Sequence, residues 1–262
     1  MPRISKWVEQ QIRLFPFSEA GVGVLRATRH ALLLPYRIVK KYRRSVAACK
    51  IVVSDGFDVE HSIQTSGRVH ETDLDIAGPN WIHASAYFPT PSRFLVETLA
   101  DLDIRFEDFT FIDLGSGKGR VLFMASEFPF RKIIGLEISP GLSALAHRNI
   151  ASYKGPQKCR DINPVCMDFT EFVFPEVPLF VFLYNPASLH LTNVVARNLM
   201  HSLKRCPREG WILYVTPHNE VFDSEKTLHK VREGECLTHP YCLYSSRPQR
   251  SAGLGYPLTQ AS

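Results

Sequence analysis

The sequence predicts an α/β protein built on a doubly wound, mainly parallel sheet, and three observations carry that prediction. Apolar strand-like runs alternate with helical runs over roughly 140 residues from about position 106. The run PLFVFLY, 178–184, is continuously apolar, as a strand covered on both faces must be. The glycine-rich stretch DLGSGKGR, 113–120, sits between a strand and a helix, where open α/β sheets bind ligands.

In chain order, FTFIDL (109–114) reads as the first strand and GRVLFMASEF (119–128) as the helix behind it. KIIGLEI (132–138) is the second strand. Ser139 and Pro140 then supply a cap and a first-turn proline for the helix PGLSALAHRNIASY. INPVCMDF (162–169) holds a short strand, and PLFVFLY is the fourth. SLHLTNVVARNLMHSL (188–203) is helical, and GWILYVTP (210–217) is a strand. HKVREGECLTH (229–239) and YCLYSSR (241–247) close the sheet as a pair. Residues 51–105 are rich in turn formers and aromatics and read as a connecting or lid region, with one helix at SRFLVETLADL. Residues 248–262 read as a flexible tail.

Composition bounds the rest. The chain has 262 residues, 45% of them hydrophobic, enough for a real core. No apolar run approaches the ~18 residues of a membrane span. The six cysteines are scattered with no CxxC pair, which predicts reduced thiols in an intracellular, cytoplasmic protein and no metal site. Charge is concentrated at the start: residues 1–50 carry eleven Lys/Arg against two acids. That segment is therefore net +9 within a chain of +5, and the remainder is net −4. It reads as a basic amphipathic helical extension. Packing on the main domain, an anionic partner (a membrane surface or nucleic acid) and a mitochondrial presequence all stay open for it.

The glycine loop narrows the chemistry. A phosphate-cradling Walker loop needs GxxxxGK[ST], and Lys118 lies inside the glycine run, followed by Gly119. The dinucleotide fingerprint needs GxGxxG, whereas Gly115, Gly117 and Gly119 are spaced GxGxG. Asp113 decides between ligands. A carboxylate there repels a pyrophosphate and favours a cofactor carrying a sulfonium and an ammonium, which argues against a nicotinamide-dependent oxidoreductase. Glu137 ends the second strand and is placed to accept hydrogen bonds from two ribose hydroxyls. Asp168, after the third strand, is placed for an adenine amino group, or as a helix cap.

DLGSGKGR, IGLEISP, CMDF and LYNPAS together resemble the ordered motifs of class I, seven-strand S-adenosylmethionine-dependent methyltransferases, over about residues 85–245. Within that class the chain looks most like uncharacterised bacterial members and is distantly similar to the seven-strand lysine methyltransferases of the non-SET type. The resemblance implies a Rossmann-like sheet of seven strands, one antiparallel. It implies S-adenosyl-L-methionine as cofactor, held by Asp113, Gly115, Ser116, Gly117, Gly119, Glu137 and Asp168, with Tyr87 and Thr90 of YFPTP lying over it. It also implies methyl transfer, to nitrogen of a protein lysine or another amine, at Asn185 and Pro186. Ala187 and Ser188 stand where amino-group methyltransferases carry a second proline and a stacking aromatic. That departure keeps a second function open: a non-catalytic binding module engaging an anionic partner through the basic segment. Trp81, His83 and His218 are candidate pocket residues, but lone residues of these types more often pack and they are given no role, and Ser116 lacks the setting of a nucleophile.

Overall fold

A computed structural model describes residues 55–76, 79–185, 187–217, 221–223 and 225–247, all within the unit Ile51–Ser262. The basic extension, the tail, Cys49, Pro186 and His218 lie outside the described residues.

Seven strands form one sheet: β1 Thr110–Leu114, β2 Lys132–Glu137, β3 Ile162–Cys166, β4 Leu179–Tyr184, β5 Gly210–Val215, β6 His229–Cys236 and β7 His239–Ser245. Their order is β3-β2-β1-β4-β5-β7-β6. The first five are parallel, and β7 runs antiparallel to both of its neighbours. The seven-strand sheet with one antiparallel strand is thus as expected. The chain order reverses direction beside β1, so the carboxyl ends of β1 and β4 open a crevice at the switch point.

The helices are α1 Phe57–His61, α2 Phe94–Leu99, α3 Arg120–Ser126, α4 Pro140–Ser152 and α5 Leu189–Arg205. Strand alternation decides which face each residue feeds. In β4, Phe180 and Phe182 join Phe111 in a core that includes α2 and α3. Val181 and Leu183 join Ile112 and Leu114 in a second core that includes α5. This two-sided burial is why PLFVFLY shows no alternation. The ring of Phe111 stacks on Phe180 at 5.8 Å, and Phe130 closes the cluster 5.0 Å from Phe111.

Two local readings differ from the sequence expectation. The helix at SRFLVETLADL is confined to Phe94–Leu99, because the chain tightens into a turn closed by Leu102 N–H donating to Leu99 O. The run HKVREGECLTH breaks at Leu237 and Thr238, whose φ values of 49° and 67° make the two-residue hairpin turn. Neither residue is a usual occupant of the left-handed region, so the turn was hidden in the sequence.

Residues 55–66 are pinned to the start of α3 by Arg120, whose side chain is almost wholly buried. Its Nε donates to Thr90 O at 2.7 Å, and its guanidinium reaches Thr65 Oγ1 at 2.8 Å, Asp58 and Asp55. The Phe57 ring lies 4.4 Å from the guanidinium carbon. Burial alone would raise the Asp55 carboxyl, but the Arg120 contact, with the N–H donors of Ser92 and Phe57, outweighs it and holds it below the usual aspartate range. Removing a buried ion's partner commonly costs about 3–5 kcal/mol. Arg120→Ala is therefore expected to lower stability by about 3 kcal/mol, read from the urea midpoint. A change under about 1 kcal/mol would show that this contact is not structural.

Candidate cofactor and acceptor site

The glycine loop follows directly from β1. Gly115 (φ 89°) and Gly117 (φ 54°) occupy the left-handed region, and Gly119 (φ 86°) precedes the first turn of α3. At Gly117 the requirement is also steric. A Cβ there would stand 2.3 Å from the Tyr87 ring, which lies directly on the loop. The Tyr87 hydroxyl donates to Thr65 O at 2.6 Å, and Lys118 Nζ sits 4.9 Å from its ring centre while donating to Ser66 O.

Glu137, at the end of β2, holds this loop in place. Its Oε2 accepts from Gly117 N–H and its Oε1 from Ser139 N–H, each at 2.8 Å. Burial pushes the carboxyl up, and the two N–H donors hold part of that rise back. Ser139 caps α4 as expected, its Oγ accepting from Leu142 N–H. The same hydroxyl donates to Asp75, which also accepts from Gly141 N–H.

Asp113 is the second buried acid. It is 2% exposed, and its Oδ2 has no hydrogen-bond partner. Burial, with a smaller contribution from Glu137, pushes its carboxyl well above the usual aspartate range. Ser116 Oγ is likewise buried without a partner. Two carboxyl groups and a hydroxyl therefore face one cleft, whose unmet demand is for donors and positive charge.

Asp168 follows β3 and caps a short 3-10 turn. Its Oδ1 accepts from Thr170 N–H at 2.8 Å, and its Oδ2 accepts from Asn80 Nδ2 at 2.6 Å. Burial favours the protonated form, but these bonds outweigh it and keep the carboxyl low. Asp113, Gly115, Ser116, Glu137, Asp168, Tyr87 and Thr90 all line the cleft, and so does Asn185. Gly117 lies behind Tyr87, and Gly119 packs on α4, where its Cβ would approach Ala146 to 3.2 Å. Asn185, just beyond β4, holds φ at 44°, a value uncommon outside glycine and tolerated best by asparagine.

The family model for "Histone methylation protein DOT1" matches residues 83–177, the stretch holding the YFPTP turn, the glycine loop, Glu137 and Asp168. That match lies on a sheet of order 3-2-1-4-5-7-6. The matched stretch includes β1, β2 and β3, and over it the chain is similar to that histone-methylation family. No curated protein matches its sequence. Among solved structures, one similar to this chain is described as a predicted N6-adenine-specific DNA methylase from Listeria monocytogenes. It is 14% identical over 60% of this chain and 51% of that one, with a TM-score of 0.46. Another is an RNA methyltransferase from Salinibacter ruber in complex with S-adenosyl-L-homocysteine, 19% identical over 64% and 99% of the two chains, TM-score 0.42. A third is a SAM-dependent methyltransferase from Anabaena variabilis, 12% identical over 58% and 82%, TM-score 0.41.

Sequence reasoning passed over Arg120, Asn80 and Asp75, and set His83 aside as packing. Their partners lie 30 to 105 positions away, so no local pattern announced them. Among the described residues no cluster of His, Cys, Asp and Glu could hold a metal ion. Nor is any described helix long and apolar enough to cross a membrane.

The buried acids give the domain a pH signature. Asp113 and Glu137 are raised in the folded state, so the native protein keeps protons that the unfolded chain has lost. Their effect is a fall in stability as pH rises from about 4 through the folded-state values. Asp113→Asn is expected to flatten that fall and to raise the melting temperature of the ligand-free protein near neutral pH. An unchanged pH–stability curve would contradict the assignment.

Proposed function

We propose that this domain transfers a methyl group from S-adenosylmethionine to a nitrogen acceptor, with the side-chain amine of a protein lysine as the acceptor class. The observation that carries the reading is the unpartnered, buried carboxyl oxygen of Asp113 beside the Glu137 carboxyl, at the mouth of a glycine loop. The pair suits a ligand with positive charge and donor hydroxyls and opposes a phosphate.

The residues fit the cofactor in their donor and acceptor chemistry. Asp113 and Ser116 would meet its ammonium end. Glu137 keeps acceptor capacity on both oxygens for ribose hydroxyls, since each receives one N–H from the protein. Asp168 would take the adenine amino group, in the position where Asn80 donates. Tyr87 and Thr90 would cover the cleft. When bound, the cofactor supplies an activated methyl on a sulfonium. The part left to the chain would be to hold a neutral acceptor nitrogen toward that methyl and to let its surplus proton leave to solvent.

Little covalent work falls to the protein; positioning and exclusion of water dominate. Asn185 lies at the end of β4 on the cleft wall, where its oxygens would accept N–H bonds from the acceptor and orient the lone pair. Its left-handed backbone is the kind of local strain that accompanies function. Pro186 is proposed to shape that turn. The residues around it favour a protein acceptor. Ser188 offers no aromatic face for a flipped base, and exposed Trp81, Ile82 and Leu189 flank the same loop contacts. The match to a histone-methylation family points the same way. We assign residues 51–105 as the lid, residues 106–247 as the catalytic domain and the basic residues 1–50 as the recruiting element for an anionic partner.

The test uses the full chain with methyl-labelled S-adenosylmethionine, offered a lysine-rich protein, duplex DNA and RNA in separate reactions. Label is expected on lysine. Asn185→Ala is expected to lower kcat about tenfold or more while the cofactor Kd stays within about twofold, the pattern of a residue acting on the acceptor. Glu137→Ala should weaken cofactor binding at least tenfold, about 1.4 kcal/mol. Label appearing only in nucleic acid would overturn the acceptor class. A chain that binds no S-adenosylmethionine would overturn the function.

A further inference from the structure

The run Asn80–Thr90 crosses the carboxyl ends of several strands. Asn80 donates to Asp168 beyond β3, Tyr87 lies on Gly117 beyond β1, and Thr90 O accepts from Arg120 at the start of α3. Between these points the run also grips the loop after β4. Ser188 N–H donates to His83 O at 2.9 Å, Ser188 Oγ meets His83 Nδ1 at 3.0 Å, and Ala84 forms an isolated antiparallel bridge with Ala187.

Ser188 sits at the N-cap of α5, a 17-residue helix, yet its side chain makes no cap bond. A serine there ordinarily turns its oxygen onto its own helix. Here the hydroxyl is committed to His83. The helix that follows holds the loop only through Ser188 O, which accepts from Thr192 N–H and Oγ1, while the Ser188 side chain and N–H are given to the crossing run. This also accounts for the departure noted in LYNPAS: the position of the stacking aromatic carries half of a joint.

We propose that His83 and Ser188 are positioning residues that couple the two halves of the cleft. The proposal rests on the cofactor reading above. The run touches both halves, so whatever seats it over the glycine loop also sets the backbone at Asn185. Cofactor binding and order in residues 185–191 are then linked, and the linkage is reciprocal. The acceptor side would be formed fully only once the cofactor side is filled, which favours binding of cofactor before acceptor.

The test is amide hydrogen exchange on the full chain, with and without S-adenosylhomocysteine. In the wild type, the ligand is expected to slow exchange in residues 185–191 by about fivefold or more, the low end of usual coupling. His83→Ala and Ser188→Ala should each abolish that ligand-dependent slowing, and shift the Kd by no more than the same factor. His83→Asn, whose amide can reach the place of Nδ1, should restore it. A merely structural role would speed exchange equally with and without ligand. The proposal is overturned if the slowing survives both alanine variants, or if the ligand binds wild type without slowing this segment. If S-adenosylhomocysteine does not bind, the cofactor reading itself falls, and that outcome is distinct from either.

Discussion

The bond pair that Glu137 makes to Gly117 N–H and Ser139 N–H is the constraint on which the site depends. One carboxylate ties the loop after β1 to the start of α4 after β2. Both anchored residues carry further structure. Gly117 supports the Tyr87 ring, and Ser139 caps α4 and holds Asp75. A carboxylate can do this because it accepts at two oxygens and has lone pairs to spare. The same capacity leaves it able to meet a ligand's hydroxyls without losing its structural bonds.

Asp113 works in the opposite sense. It supports nothing: one oxygen is buried and unpartnered, and burial drives it toward its neutral form. A group of this kind destabilises the folded protein at neutral pH and is tolerated where a ligand relieves it. Under the proposed function, the two acids together would set which ligands the cleft accepts. A sulfonium and ammonium gain where a pyrophosphate would lose. The pair also separates roles within a single motif region, one acid fixing the backbone and the other left for charge.

Much of the scaffold was legible in the sequence because its signals are local. The continuous apolar run of β4, the Ser139–Pro140 helix start and the positive-φ glycines each report a physical requirement of their own position. Asp113 and Glu137 were legible because a strand end places them at the crevice. The roof of the cleft was legible only at Tyr87 and Thr90, and there only through the resemblance. Asn80, His83 and Arg120 find partners 88, 105 and up to 65 residues away, through contacts that no periodicity encodes. The Leu237–Thr238 turn was hidden for another reason: tertiary pairing of β6 with β7 imposes a backbone that neither residue favours alone.

The most direct test of the account is the protonation of Asp113 itself, followed by carbon-13 NMR of its labelled carboxyl across a pH titration. The account predicts that in the free protein it titrates above the ordinary aspartate range. Adding S-adenosylmethionine should then bring it to the ionised form at a pH where the free protein holds it protonated. An ordinary aspartate titration that the cofactor leaves unchanged would contradict the claim that this cleft is built around a carboxylate waiting for a cation.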